Sequence, residues 1–221
     1  MHLRTFCAEA KAAPDKDGVY AGWPGIPPAS LLHPVPAVVP DDSQLKAAKH
    51  VCAFLVVVNA DGSVRKLALA NRTPSPLDDI ALDAVRQSQF DPGTFEGKPV
   101  PTQAMVYVPF LGDGQPATPV EPNIRGKKPQ LLKSLKYPVP VYTPEAQFSD
   151  QARREHYQGM VLIRALIDED GLPRLVGLLA GAGKGLDENA LAAVRGYKFK
   201  PATFEGIPVP FMMNIQVNFR M

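Results

Sequence analysis

The chain has 221 residues, 45% of them apolar and 21% charged, with a formal net charge of +2. That length allows one large domain or two small ones, and so balanced a charge gives no field of the kind nucleic-acid binding needs. Two cysteines, Cys7 and Cys52, make neither a disulfide framework nor a metal-finger pattern, and 24 prolines, about twice the usual share, ask for extended linkers and edges.

Residues 1–33, with "GWPGIPPAS", read as an irregular Pro/Gly-rich segment. The beginning of the chain as given has no 7–15-residue apolar h-region, so it does not read as a signal peptide. The longest apolar run, "VCAFLVVV" at 51–58, is far short of the ~18 residues of a membrane helix. The sequence as given therefore reads as soluble and without an anchor.

A first unit spans 34–110. It opens with "HPVPAVVP" and the polar, helix-like "PDDSQLKAAKH", then runs as a strand through 51–58 to a turn at Asp61-Gly62. A return strand follows, then a helix announced by Ser75-Pro76-Leu77-Asp78, a capping-box-like start with proline at its first position. "FDPGTFEGKPVP" (90–101) leads into the closing strand "TQAMVYVPF". Residues 111–136, rich in Pro, Gly and Lys, read as linker. Their cations Arg125, Lys127, Lys128, Lys133 and Lys136 read as a solvated run that an anionic partner could touch.

The second unit, 137–221, repeats the first. Residues 51–110 slide over 160–219 without a gap, and 22 of the 60 pairs are identical. Asp61-Gly62 meets Asp170-Gly171, Leu77-Asp78 meets Leu186-Asp187, and "FKPATFEGIPVP" (199–210) answers 90–101. Self-similarity at a fixed offset marks a repeated structural unit. Upstream, "HPVPAVVP" matches "YPVPVYTP" at an offset of 104, which suggests five extra residues before the second copy's first strand. In "MVLIRALID", Val161, Ile163, Ala165 and Ile167 share one face and Arg164 lies on the other, expected to be wet. A helix is expected from Leu186 to about Gly196, with Leu186, Ala190 and Val194 inward. In the last strand Met213, Ile215, Val217 and Phe219 alternate with Asn214, Gln216, Asn218 and Arg220. Each unit thus reads as α+β, αββαβ: a three-stranded sheet of order 2-1-3 with helices on one face and its third strand on an edge.

These residues resemble the C-terminal domain of TonB-family energy transducers. The pattern is an opening YP-x-x-A, a G-x-V strand, a D-x-x-G turn, an LD-x-x-A helix, an F-x-P-A corner and a closing strand. The second copy matches it with Thr143-Pro144-Glu145-Ala146, Gly159, Gly171, Leu186-Asp187, Phe199 and Pro201-Ala202. The first copy lacks the opening alanine and has His50 where the second has Gly159. The resemblance implies a periplasmic module that pairs its last strand with an extended peptide of an outer-membrane receptor, coupling it to energy-dependent transport. An exposed edge strand suits such β-augmentation. The implied partner-binding residues are Phe211, Met212, Met213, Asn214, Ile215, Gln216, Val217, Asn218 and Phe219. In the first copy Pro109 removes a donor where the second has Asn218, so the second edge is expected to bind and the first to be degenerate.

Other chemistry reads weakly. "GAGKGL" (181–186) lacks the Ser/Thr and the spacing of a phosphate loop. "DEDG" begins like a calcium loop but has Leu179 where the bidentate Glu belongs. The histidines His2, His33, His50 and His156 lack metal spacing and read as surface residues, and Cys52, in phase with Phe54, Val56 and Val58, reads as buried. No nucleophile–base set recurs in both copies. The expectation is a protein-binding module with no catalytic residues, no metal and no cofactor. The alternative is a structural pseudo-dimer whose edges are satisfied internally and which serves as an assembly scaffold.

Overall fold

The computed structural model describes residues 14–20, 25–72, 74–122 and 134–221. In chain order the first copy gives β1 (Ser30–His33), α1 (Ser43–Ala47), β2 (Lys49–Val58), β3 (Val64–Leu69), α2 (Asp78–Gln87), β4 (Gln89–Asp91), β5 (Gly93–Phe95), β6 (Lys98–Val100) and β7 (Thr102–Leu111). After β8 (Leu135–Lys136), the second gives β9 (Val139–Tyr142), α3 (Asp150–Arg154), β10 (Gly159–Ile167), β11 (Pro173–Ala180) and α4 (Leu186–Arg195). It ends with β12 (Lys198–Lys200), β13 (Ala202–Phe204), β14 (Ile207–Val209) and β15 (Phe211–Phe219).

The two copies build the same antiparallel sheet, in the orders β3-β2-β7 and β11-β10-β15. Their registers coincide at the 109-residue offset: Val58 faces Thr102 as Ile167 faces Phe211, and Phe54 faces Leu69 as Ile163 faces Leu178. The fold is α+β, two tandem units with helices on one face of a three-stranded sheet. The offset holds further upstream than the matching letters suggest. Leu31 of β1 pairs with Phe90, and Pro140 of β9 pairs with Phe199, again 109 apart. The likeness of "HPVP" to "YPVP" therefore does not mark equivalent positions, and no five-residue insertion precedes the second strand set. Both opening helices are single turns, shorter than the polar stretches suggest. Asp42 caps the first, accepting the Gln44 and Leu45 amides, and Ser149 the second, accepting the Ala152 amide.

Each sheet carries its own core. In the first, Cys52, Phe54, Val56 and Val58 of β2 and Val106, Val108 and Phe110 of β7 pack with Leu77, Ala81 and Val85. In the second, Val161, Ile163, Ala165 and Ile167 pack with Ile215, Val217, Phe219, Leu186, Ala190 and Val194. Period two in the strands and 3.6 in the helices bring these residues to one interface. The α2 start closes as a reciprocal pair. Ser75 Oγ accepts the Leu77 amide at 3.2 Å, and Asp78 accepts the Ser75 amide at 2.8 Å.

The hairpin turns are locked to the F-x-P corners. Gly171 has φ +79°, its carbonyl accepts the Phe199 amide at 2.9 Å, and a Cβ there would lie 1.9 Å from the Phe199 carbonyl oxygen. At Gly62, φ +84°, a Cβ would likewise lie 2.3 Å from the Phe90 carbonyl oxygen. Only glycine satisfies both the left-handed φ and the close approach.

By compactness the chain divides into two units. One holds Pro138–Pro201 with Phe211–Met221; the other holds Pro14–Tyr137 with Ala202–Pro210. Residues 202–210, which the sequence repeat assigns to the second copy, thus belong to the unit built on the first. The physical reason is pairing and burial: Phe204 of β13 bonds to Leu135 of β8, is fully buried, and lies 6.4 Å from the Tyr107 ring. The second face of that unit's sheet, with Val51, Ala53 and Tyr107, is buried too, and β14 packs on β2. Residues 14–20 and 25–33 join the same unit, with Val19, Ile26 and Ala29 buried. The cations Arg125, Lys127, Lys128 and Lys133 lie outside the described residues, as do His2 and Cys7.

A candidate peptide-binding edge

Alternation along β15 buries Ile215, Val217 and Phe219 and exposes Asn214, Gln216 and Asn218, while Phe211, Met212 and Met213 are half-buried. Nine consecutive pairs tie this strand to β10 on one side. Among the described residues the sheet order ends at β15, with no further strand on its other side. The direction of its main chain follows from its counterpart β7. There Tyr107, directly opposite Ala53, exchanges its hydrogen bonds away from β2, with Val120. Gln216 holds the same register in β15. By period two, the N–H and C=O groups of Gln216 and Asn218 therefore point outward. A side-chain bond of 2.8 Å from Gln216 Nε2 to Asn218 Oδ1 runs along the solvent face.

A groove of about 520 Å³ adjoins the last turn of this strand. One wall is Thr143, Pro144, Glu145 and Ala146; the other is Gln216 to Arg220; Phe148 and Tyr197 close the remainder. Phe148 is held edge-on against Phe219, centroids 5.3 Å apart. The opening Thr143-Pro144-Glu145-Ala146 was visible in the sequence as a motif, but its place beside the edge strand was not. Nothing in period or composition joins residues 75 positions apart.

The other sequence-derived sites resolve differently. In the glycine-rich turn at 181–185 two amides are occupied: Asp187 Oδ1 accepts from Ala182 at 2.7 Å and Gly183 at 3.2 Å. A carboxylate from the chain's own helix sits where an anion would. "DEDG" is a hairpin turn in which buried Asp168 accepts the Leu172 amide at 2.8 Å and pairs with Arg174 at 3.0 Å. Arg164 is not on a wet face. Leu162 and Leu166 beside it are buried, and burial lowers its guanidinium to about 10. Cys52 is fully buried, and burial first, then the Asp78 carboxylate, holds its thiol above the ordinary range.

The family model for the Gram-negative bacterial TonB protein C-terminal domain matches this chain twice, over residues 40–111 and 144–221. The chain belongs to that family. Both copies carry the domain, which establishes the tandem duplication. "Protein TonB" of Vibrio cholerae serotype O1 (strain ATCC 39315 / El Tor Inaba N16961) is similar to it, 31% identical over 71 residues. That likeness covers 32% of this chain and 29% of the relative's length. Among the described residues, no helix is long and apolar enough to cross a membrane.

Proposed function

We propose that the second TonB-type domain binds an extended peptide by adding it as a strand to the outer edge of β15. Residues 211–219 supply the ladder and the groove against Thr143–Ala146 receives a flanking side chain. The observation that carries this reading is the asymmetry of the two edges. In the first copy Tyr107 is already paired with Val120, and Pro109, two residues on, has no N–H to offer. In the second, Gln216 and Asn218 occupy those two positions, and both are exposed. An open antiparallel edge is a template for a further strand.

In this reading the repeat units 34–110 and 137–221 are the two copies, the first extended at its start by β1, and the first copy is a scaffold. Membership of the TonB family supports an envelope or periplasmic setting, a segment of an outer-membrane receptor as the peptide, and a role in coupling transport to energy. The module acts by binding, not by catalysis. Titrating an extended receptor-type peptide into the isotope-labelled chain tests it. Amide shifts along 211–219 and 143–148 are expected, whereas shifts confined to 102–111, or none at millimolar peptide, overturn it.

A further inference from the structure

Three side chains of different chemistry meet where β2 begins beneath the first turn of α2. His50 and Cys52, two residues apart on β2, project to the same face, the one that α2 covers. Asp78 is the first residue of α2. Cys52 Sγ lies 3.2 Å from Asp78 Oδ1, His50 Nε2 lies 3.7 Å from the same oxygen, and all three donor atoms fall within 4.8 Å of one another. The His50 nitrogen is shielded from solvent and makes no hydrogen bond, although it was expected on the surface. We propose that His50, Cys52 and Asp78 form a binding site for a borderline divalent transition metal ion of the zinc class, with solvent water as the fourth ligand.

Geometry, donor set and charge agree. Zinc bonds of about 2.0–2.3 Å in a tetrahedron put neighbouring donors about 3.3–3.6 Å apart. The two shorter separations here already match to within a few tenths of an ångström. The third leaves roughly 1.3 Å at most to close by rotating the His50 ring, which is within rotamer adjustment. One thiolate, one carboxylate and one neutral imidazole balance a divalent cation, so the filled site is neutral in a part of the core where net charge is costly. Asp78 is pre-set, since its other oxygen accepts the Ser75 amide at 2.8 Å. The His50 side chain, 23% exposed, leaves a path for the ion and for a water ligand. On binding, the Cys52 thiol releases its proton to solvent as the metal–sulfur bond forms, and His50 donates its Nε2 lone pair with its proton on Nδ1.

The second copy is a built-in control. At the 109-residue offset Gly159 and Val161 replace His50 and Cys52, and Asp187, equivalent to Asp78, is turned instead to the amides of Ala182 and Gly183. The site therefore belongs to the first copy alone, where the ion would staple β2 to α2.

The test uses the full chain, freed of metal by chelator dialysis and titrated with zinc and with cobalt(II). One equivalent of zinc per chain is expected, with a thiolate-to-cobalt charge-transfer band and the intense visible bands of a tetrahedral ion. Cys7→Ser must keep both. His50→Gly and Cys52→Val, the residues of the second copy, should each weaken zinc by more than the roughly 10–100-fold that loss of an outer-shell partner costs. Should a variant misfold, the cobalt spectrum of the unaltered chain still decides. Zinc bound without a sulfur-to-cobalt band overturns the site, and so does a band that survives Cys52→Val but vanishes in Cys7→Ser.

Discussion

The amide of Tyr107 donates to the carbonyl of Val120 at 2.7 Å, and the amide of Val120 returns the bond to Tyr107 at 2.8 Å. The first domain thereby occupies its own edge with a residue from the segment that follows β7. Tyr107 is also anchored inward, fully buried and donating its hydroxyl to the Pro210 carbonyl at 2.8 Å. Two copies with one register thus present unlike edges.

This asymmetry sets the first expectation. Gln216→Pro removes an N–H that faces away from β10, so the internal ladder keeps its bonds while the outer edge loses a donor. The lost main-chain bond, ~0.5–1.5 kcal/mol, and the ring's bulk should weaken peptide binding about tenfold or more. Val120→Pro removes a donor from the first domain's edge and should leave that affinity unchanged. Tyr107→Pro is unsuitable as the control, because Tyr107 is a core residue. Fluorescence anisotropy with a labelled peptide measures all of this, and equal losses from Gln216→Pro and Val120→Pro would count against the assignment.

Phe199 and Phe204 stand five positions apart in one sequence motif, yet they serve different cores. Phe199 packs in the cluster of Ile163 and Val194, while Phe204 is buried in the other unit beside Tyr107. Each truncation to Ala should cost about 3–5 kcal/mol. The damage should separate in space. Amide exchange should accelerate in β10 for Phe199→Ala and in β2 for Phe204→Ala. If both variants loosened only 160–167, residues 202–210 would belong with the second core after all.

What the sequence conveyed, and what it did not, follows from the range of the forces involved. The alternation of Met213, Ile215, Val217 and Phe219 and the inward stripe of Leu186, Ala190 and Val194 are local periodicities, so both were legible; all but Met213, which packs against it half-buried, lie in the core. The duplication fixed the common register. Three features were not legible because they depend on pairs far apart in sequence: the pairing of Leu135 with Phe204, the return of Val120 to Tyr107, and the meeting of His50 and Cys52 with Asp78. Arg164 misled because a lone cation in an alternating strand ordinarily marks a wet face, while Leu162 and Leu166 on the same face are buried.

The turn glycines offer a graded test. Gly183, at φ +76°, has open space where a Cβ would stand, so Gly183→Ala should cost only the left-handed backbone strain of ~1–2 kcal/mol. Gly171→Ala adds a Cβ 1.9 Å from the Phe199 carbonyl oxygen and must also break the Gly171–Phe199 hydrogen bond or move the corner. It should cost clearly more, beyond ~3 kcal/mol, and Gly62→Ala should behave like it. Urea midpoints would show the order, and a Gly171→Ala protein no less stable than Gly183→Ala would refute the locked corner.

The last expectation concerns alkaline pH in metal-free protein. Burial holds the Cys52 thiol well above its ordinary value of 9.0, and holds the Tyr107 phenol above its ordinary 10.0. Below about pH 8 both are neutral in the folded and unfolded chain, so neither affects stability. As pH rises past 9.0 the unfolded Cys52 ionises while the folded one keeps its proton. The native state then binds more protons, and stability falls with pH, with a limiting slope of ~1.4 kcal/mol per pH unit for one proton. Above about pH 10 Tyr107 adds a second decline, which Arg164, lowered to about 10, opposes because it gives up its proton more readily folded than unfolded. Cys52→Val places in the first core the residue that Val161 provides in the second, so it should fold and should remove the decline between about pH 9 and 10. Urea unfolding followed at half-unit intervals of pH, with chelator present, measures it. Identical slopes for the two proteins over that interval would show that the Cys52 thiol ionises as readily folded as unfolded, and the buried reading of that group would fail.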